Sequence, residues 1–140
     1  MELPASAQRS YGSYEVESTL GRGAMGMVYL ARDRRIGRRV ALKTVQVDQV
    51  FEDESETDEF YKRLQREAEL SGSLQHPNIV TLYEAGYEND RIAFLATEYV
   101  DGETLKERLK RSRPLPLALA LSIAEDVLSG LAFAHARGIV

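Results

Sequence analysis

The sequence contains no cysteine and no tryptophan, and only two of its 140 residues are histidines. Without cysteine the chain can form no disulfide, no thiolate metal site and no cysteine nucleophile, and this is compatible with a reducing cytoplasm. His76 and His135 are too few for a histidine-rich metal site. We therefore expect a cytoplasmic protein, with no metal ligands among these residues.

An excess of positive charge is also missing. The formal net charge is −4, so no global attraction to nucleic acid is expected. The chain is 44% hydrophobic and 29% charged, which is ordinary for a soluble globular protein, and its length usually corresponds to one domain.

Targeting and membrane segments are not expected either. Residues 1–6 have neither the basic region nor the apolar core of a signal peptide. The longest apolar stretch, residues 115–136, is interrupted at its centre by Glu125 and Asp126. A charge at the bilayer centre costs about 2.5–3.5 kcal/mol, so we interpret this stretch as a buried helix of a soluble domain.

Hydrophobic alternation and glycine spacing predict an antiparallel meander near the start of the chain, after a loose leader over residues 1–13. Two later apolar runs, on either side of a loop at residues 86–90, predict two more strands. The predicted strands are Tyr14–Glu17, Met27–Ala31, Arg39–Val45, Ile79–Tyr83 and Ile92–Thr97.

A helical period follows the acidic stretch at residues 52–59, whose charges suit a helix start. This helix would run from Phe60 until residues 76–78 break it, and further helices are predicted at residues 104–110 and 115–136. Five strands with one helix inserted after the third, then helices only, predict an α+β fold: a small antiparallel sheet domain and the start of a helical domain.

A glycine-rich turn with the spacing G-x-G-x-x-G-x-V joins the first two strands, at Gly21, Gly23, Gly26 and Val28. Dinucleotide-binding folds also use G-x-G-x-x-G, but they need a helix directly after the last glycine. Here a strand follows, which favours a hairpin tip whose backbone N–H groups can approach phosphate oxygens. A glycine-rich hairpin without a ligand is the alternative.

The third strand carries Lys43, and period-2 geometry places Ala41 on the same face. A small residue beside a lysine suits a site where a ring packs over Ala41 and phosphates reach Lys43. The alternative is an exposed strand lysine with no such role.

Glu67 lies on the apolar stripe of the first helix, three residues after Leu64 and seven after Phe60. A carboxylate that faces a core needs a partner, and Lys43 is the natural candidate. Alternatively, Glu67 lies at the margin of the stripe and reaches water, or pairs with Arg63 or Arg66.

Taken together, these motifs resemble the protein kinase superfamily, in the style of bacterial eukaryotic-like (Hanks-type) Ser/Thr kinases, over residues 14–140. The matching pieces occur in the family's order: the glycine-rich turn, Val40–Lys43, Glu67, His76–Val80, Glu98–Gly102 and Leu131–Val140. The resemblance implies a kinase N-lobe and hinge over residues 14–100, and the start of a helical C-lobe over residues 101–140.

The resemblance also implies ATP and Mg²⁺ as cofactors and a protein substrate with Ser or Thr hydroxyls. Lys43 and Glu67 would form the ion pair of the active state. Thr97 would be the gatekeeper, and Glu98 to Val100 the hinge that binds adenine. The expected ATP-binding residues are Leu20, Gly21, Arg22, Gly23, Ala24, Met25, Gly26, Met27, Val28, Ala41, Lys43, Thr97, Glu98 and Val100.

The family's His-Arg-Asp, Asp-Phe-Gly and Ala-Pro-Glu motifs do not occur in this sequence. The resemblance places them, with both Mg²⁺ ligands, after Val140. We therefore expect an N-terminal fragment of a Ser/Thr kinase that is inactive alone. The alternative is a non-catalytic, truncated or pseudokinase-like module that binds nucleotide or a partner.

Two other groups of residues are interpreted structurally. His76 and His135 have no oriented partner in the sequence, so they are expected to be structural rather than catalytic. The arginines at residues 32–39 flank a predicted hairpin, and a solvated, charged tip is favoured there over a docking patch.

Overall fold

A computed structural model describes residues 9–23, 26–47, 53–89 and 91–140. These residues form two compact units. The first unit combines the described part of Met1–Ser73 with Thr81–Tyr99, and the second combines Leu74–Val80 with Val100–Val140. The chain passes into the second unit for the last time between residues 99 and 100, one residue before the predicted domain boundary. The segment at residues 74–80 was predicted to be part of the first domain but belongs to the second unit.

The first unit is one antiparallel sheet with a helix inserted after the strand that carries Lys43; this strand was predicted to be the third and is the fourth, because a short strand precedes the predicted ones. The sheet order is β1-β2-β3-β4-β6-β5. The strands are β1 Ser10–Tyr11, β2 Tyr14–Arg22, β3 Met27–Asp33, β4 Arg39–Gln46, β5 Leu82–Glu88 and β6 Ile92–Glu98. The sheet has six strands rather than five, because Ser10 and Tyr11 of the predicted leader pair with Glu15 and Tyr14.

Helix α1 spans Glu54–Gly72 and begins inside the acidic stretch rather than after it. Asp53 caps its N-terminus, since its carboxylate accepts a hydrogen bond from the Ser55 backbone N–H at 3.0 Å. This hydrogen bond lowers the pKa of the Asp53 carboxyl. Phe60 and Leu64 then pack against a small buried cluster on the sheet: Val45, Val47 and Ala93.

The start of β5 was predicted wrongly, because the strand begins at Leu82 and not at Ile79. A local turn occupies the preceding residues, where the Asn78 N–H donates to His76 Nδ1 at 3.0 Å and the Ile79 N–H donates to the His76 carbonyl at 3.1 Å. Strand β5 also continues to Glu88, through most of the loop predicted at residues 86–90.

The sheet curls until β2 and β5, which are separated by three strands in the sheet order, touch each other. The Tyr14 hydroxyl donates to the Glu84 carboxylate at 2.6 Å, and Arg35 reaches the same carboxylate at 2.7 Å. Burial, followed by the hydrogen bond to Glu84, raises the pKa of Tyr14. The Tyr14 ring meets Phe94 edge-on, so this contact closes an aromatic core.

The predicted arginine-rich tip is held largely by contacts within this unit. Arg32 and Arg39 both pair with Glu17, at 2.8 and 2.9 Å. Arg38 lies over the Tyr83 ring, 3.4 Å from its centre. Arg35 also binds the buried Asp33 carboxylate, and these hydrogen bonds lower the pKa of Asp33.

The second unit contains α2 Leu105–Arg111 and α3 Leu117–His135. Thr104 caps α2 and exchanges hydrogen bonds with Glu107, so the helix proper starts one residue later than predicted. His76 is structural, as predicted: besides its bond to Asn78, its ring lies 4.9 Å from that of Phe133 on α3, and its Nε2 is 3.3 Å from the Ser129 hydroxyl.

Helix α3 was predicted to be buried, but Gly130 is its only buried residue. Within the described residues it is the one helix long and apolar enough to span a membrane, a test that core helices of soluble proteins also pass.

We predict that Glu84→Gln lowers the free energy of unfolding by about 1–2 kcal/mol, because it weakens charged hydrogen bonds that close the curled sheet. Urea unfolding of the chain measures this change. Glu15→Gln is the matched control, since the Glu15 carboxylate has no side-chain partner among the described residues. Equal effects of the two variants would contradict the closing role of Glu84.

We also predict that acid weakens the fold through Asp33. Its pKa is lowered in the folded chain, so its stabilisation is present above the unfolded pKa of about 3.9 and is lost as the pH falls through the lower folded value. Unfolding measured between neutral pH and pH of about 3 should show a smaller loss of stability in Asp33→Asn. An unchanged pH dependence in that variant would contradict the prediction.

Candidate functional site

One line of paired residues crosses four neighbouring strands and joins the glycine-rich hairpin to Lys43. Gly21 of β2 pairs with Val28 of β3, Val28 pairs with Lys43 of β4, and Lys43 pairs with Leu95 of β6. Paired residues in adjacent strands are about 5 Å apart, so the lysine stem starts two strands from the first glycine of the motif.

A second line lies two residues further along β4, away from the hairpin tip. Leu30 pairs with Ala41, and Ala41 pairs with Thr97. The Thr97 hydroxyl donates to the Ala41 carbonyl at 3.3 Å, so a side chain of β6 is also bonded to the backbone of β4. The sheet therefore places Ala41 beside Thr97, two residues from Lys43 on the same strand.

The two faces of β4 differ sharply in exposure. Val40 and Leu42 are completely buried in the core of the curled sheet. Ala41 is only partly buried and Lys43 is exposed, because alternate side chains point to the other face. Several apolar neighbours on that face are also only partly buried, namely Val28, Leu30 and Leu95. This open face offers apolar surface beside one ammonium group.

The tip of the hairpin rests on β4 immediately after Lys43. The Gly23 N–H donates to the Gly26 carbonyl at 2.7 Å and closes the turn. A Cβ at Gly26 would collide with the Thr44 carbonyl oxygen and lie 2.7 Å from the Thr44 carbonyl carbon. The Thr44 hydroxyl in turn donates to the Met27 carbonyl at 3.2 Å. Glycine at position 26 is thus required by a backbone contact.

Glu67 lies on the same side of the sheet as Lys43. Lys43 and Val45 are two residues apart in β4 and therefore share a face, and Val45 packs against the stripe of α1 that contains Phe60 and Leu64. Glu67 continues this stripe by one turn and faces a groove of about 430 Å³ along the helix.

The predicted ion pair between Lys43 and Glu67 is not formed in this structure. Among the described residues no ion pair involves either group, nor does Glu67 pair with Arg63 or Arg66. Both side chains are exposed, and no residue of α1 is fully buried. The carboxylate therefore remains in water, where it needs no partner.

The other predicted site residues do not lie together on the open face. Leu20 is 45% exposed beside the hairpin, whereas the side chains of Arg22 and Met27 line a cavity on the opposite face of the sheet. The Glu98 N–H and carboxylate both bind the Thr81 backbone, at 2.8 and 3.2 Å. Val100 belongs to the second unit, and Ala24 and Met25 lie outside the described residues.

Sequence reasoning missed Thr44, whose hydroxyl supports the hairpin. Its position alternates with Lys43, so the period of the strand places it on the core face. The available signal was that a buried hydroxyl needs a hydrogen-bond partner. The sequence alone could not identify this partner, because it is a backbone carbonyl on another strand. Leu30 and Leu95 were also missed as site residues, because their places opposite Ala41 and Lys43 depend on strand register.

A glycine hairpin seated beside a strand lysine, with an acidic helix on the same side, is the arrangement expected of a kinase N-lobe. The model of the protein kinase domain family matches residues 14–140. The chain belongs to the protein kinase family.

Named relatives support this assignment. Serine/threonine-protein kinase PrkC of Bacillus subtilis is 41% identical over 133 residues, which are 95% of this chain and 20% of the relative. Serine/threonine-protein kinase PknB of Mycobacterium leprae is 38% identical over 130 residues, 91% of this chain and 20% of the relative. The chain thus spans about one fifth of the length of these curated relatives.

Solved structures agree. The crystal structure of the Mycobacterium tuberculosis PknI kinase domain superposes with a TM-score of 0.77 at 32% identity, covering 95% of this chain and 52% of that one. The expected fold, an N-lobe sheet with its helix and the first helices of the C-lobe, is confirmed.

We predict that Gly26→Ala destabilises the hairpin, because the added methyl group cannot avoid the Thr44 backbone. We expect a loss of about 1–3 kcal/mol in the free energy of unfolding, together with weaker protection of the Thr44 and Val45 amides from hydrogen exchange. Gly21→Ala is the matched control, since a Cβ there has no neighbour within 4 Å. A neutral Gly26→Ala variant would show that the hairpin does not rest on β4.

Proposed function

We propose that this chain provides the ATP-gripping part of a serine/threonine protein kinase. The observation that carries the proposal is the line of paired residues from Gly21 through Val28 to Lys43, which crosses the open face of the sheet. The hairpin can offer backbone N–H groups to phosphates, and Lys43 can offer a mobile charge. The serine/threonine class comes from the names of the relatives.

The adenine ring fits the apolar part of the same face. Val28 and Ala41 are partly exposed there, and Thr97 lies beside Ala41 with its hydroxyl already bonded to the Ala41 carbonyl. A flat ring against these side chains would place its triphosphate toward Lys43 and the hairpin. Glu98 would contribute through its backbone carbonyl, because its side chain and its N–H are both bound to Thr81.

Glu67 would act after a change in its position. Its carboxylate is on the same side of the sheet as Lys43 but exposed, and α1 packs on the sheet through Phe60, Tyr61 and Leu64. To bind a triphosphate, the Lys43 ammonium group would need a fixed orientation. A Glu67 carboxylate that moved toward Lys43 would hold the ammonium group in that orientation. Both states of the pair would then belong to the working cycle.

ATP would supply the phosphoryl group, and protein Ser or Thr hydroxyls would receive it. The described residues contain no group of three or more His, Asp or Glu side chains that could hold a metal ion. We therefore assign no Mg²⁺ ligand in this chain and no step to the metal. We also propose a cytoplasmic location, on the basis of composition alone.

Thermal unfolding with and without ATP tests the site. A ligand at 100 times its Kd stabilises a folded protein by about 2.7 kcal/mol, so the melting temperature should rise clearly at saturation. Lys43→Ala should weaken ATP binding by about tenfold or more, since it removes the charge that faces the phosphates.

Lys62→Ala is the matched control, because Lys62 is exposed on α1 outside the stripe. Equal affinity of Lys43→Ala and the unmodified chain for ATP would contradict the proposed site. Binding of NAD with the affinity of ATP would instead support a dinucleotide pocket.

We expect no phosphoryl transfer by the 140-residue chain alone, because its sequence has no His-Arg-Asp or Asp-Phe-Gly motif. Incubation with labelled ATP and a general protein substrate measures this directly. Transfer that survives purification and disappears in Lys43→Ala would overturn the expectation and show catalytic groups elsewhere in the chain.

A further inference from the structure

A second cavity lies behind the glycine hairpin, on the face of the sheet opposite Lys43. Its volume is about 350 Å³, within the range of small-molecule sites. Thr44 and Gln46 line it, and both alternate along β4 with Lys43 and Val45, so they point to the other face. Gly26 and Met27 form the wall shared with the hairpin. The remaining lining residues are Arg9, Tyr11, Thr19, Arg22, Tyr29 and Ile92.

The charge of this cavity is entirely positive among the described residues that line it. Arg9 and Arg22 contribute the charge, and no aspartate or glutamate is present. Within the described part of the chain, neither guanidinium has an ion pair or a hydrogen bond. In the neighbouring hairpin, by contrast, Arg32 and Arg39 both pair with Glu17. Both arginines are exposed at the mouth of the cavity, so their guanidinium groups are open to an anion from solution.

Hydroxyl groups complete the polar lining. The rings of Tyr11 and Tyr29 stack with their centres 6.0 Å apart. Burial and the neighbouring Tyr29 raise the pKa of the Tyr11 hydroxyl to about 12, while Arg9 acts to lower it and Glu88 to raise it. Arg9 and Tyr11 line the same cavity, and the phenol stays protonated at neutral pH and can donate a hydrogen bond.

We propose that this cavity binds a small organic anion, a carboxylate or a phosphate monoester, whose charged group is held by Arg9 and Arg22. Guanidinium groups bind both oxyanions through paired N–H donors, and the tyrosine and threonine hydroxyls add further donors. Met27 and Ile92 offer apolar surface to the body of the ligand. The site is separate from the ATP face and does not rest on the proposed function.

Benzoate and phenyl phosphate are suitable probes, because they share a ring and differ in the oxyanion. The methyl signals of Met27 and Ile92 in NMR spectra of the chain report on occupancy. We expect saturable shifts with at least one probe, and the tighter probe identifies the oxyanion class. Benzamide, which is neutral and nearly the same shape as benzoate, should bind at least about tenfold more weakly than benzoate or not at all.

Variants locate the site. Arg9→Gln combined with Arg22→Gln should weaken the tighter probe by about tenfold or more. Arg34→Gln should leave it unchanged, because Arg34 is exposed and lines neither cavity. Lys43→Ala should also leave it unchanged, since Lys43 faces the other side. Dispersed NMR spectra of each variant verify that the fold is intact.

Three results would overturn the proposal. One is the absence of saturable shifts with both probes in the unmodified chain. Another is a loss of binding in Arg34→Gln equal to that in the double variant, which would indicate general charge attraction. The last is loss of binding in Lys43→Ala, which would place the anion on the nucleotide face.

Discussion

The two-sidedness of β4 is the constraint on which the rest of this structure depends. One set of its alternate side chains, with Val40 and Leu42, fills the core of the curled sheet, and the other set, with Ala41 and Lys43, stays open. Because neighbouring strands are locked to β4 by register, the same division extends to β3 and β6. A buried face makes the sheet stable, and this stability holds the open face in shape.

The glycine hairpin gains its position from the same strand. Its last glycine lies directly against the backbone of Thr44, and the Thr44 hydroxyl holds the Met27 carbonyl. The hairpin also separates two chemically different spaces, the open face beside Lys43 and the basic cavity behind it. A ligand in either space would touch the same short piece of backbone.

Helix α1 is held less firmly than the sheet. Phe60, Tyr61 and Leu64 pack on the sheet, but none of the helix residues is fully buried, and Glu67 is in water. The side of the sheet on which Glu67 lies is thus fixed by packing, whereas its distance to Lys43 is not. Charged groups that keep their hydration gain little by pairing, which is consistent with the separation of the two groups in this structure.

The amino-acid sequence by itself determined the order and type of the main elements and the residues of the glycine hairpin, because strand alternation, helical period and glycine spacing are local properties. It could not predict the short strand at Ser10, the late start of β5 or the hydroxyl of Thr44, since each depends on a partner far along the chain. Only the tertiary structure decided that Lys43 and Glu67 share a side without touching, and that Arg9 and Arg22 meet at one cavity. Sheet curvature and the exact seat of the helix set those distances, whereas the periodic pattern of the residues gives only the faces that pack.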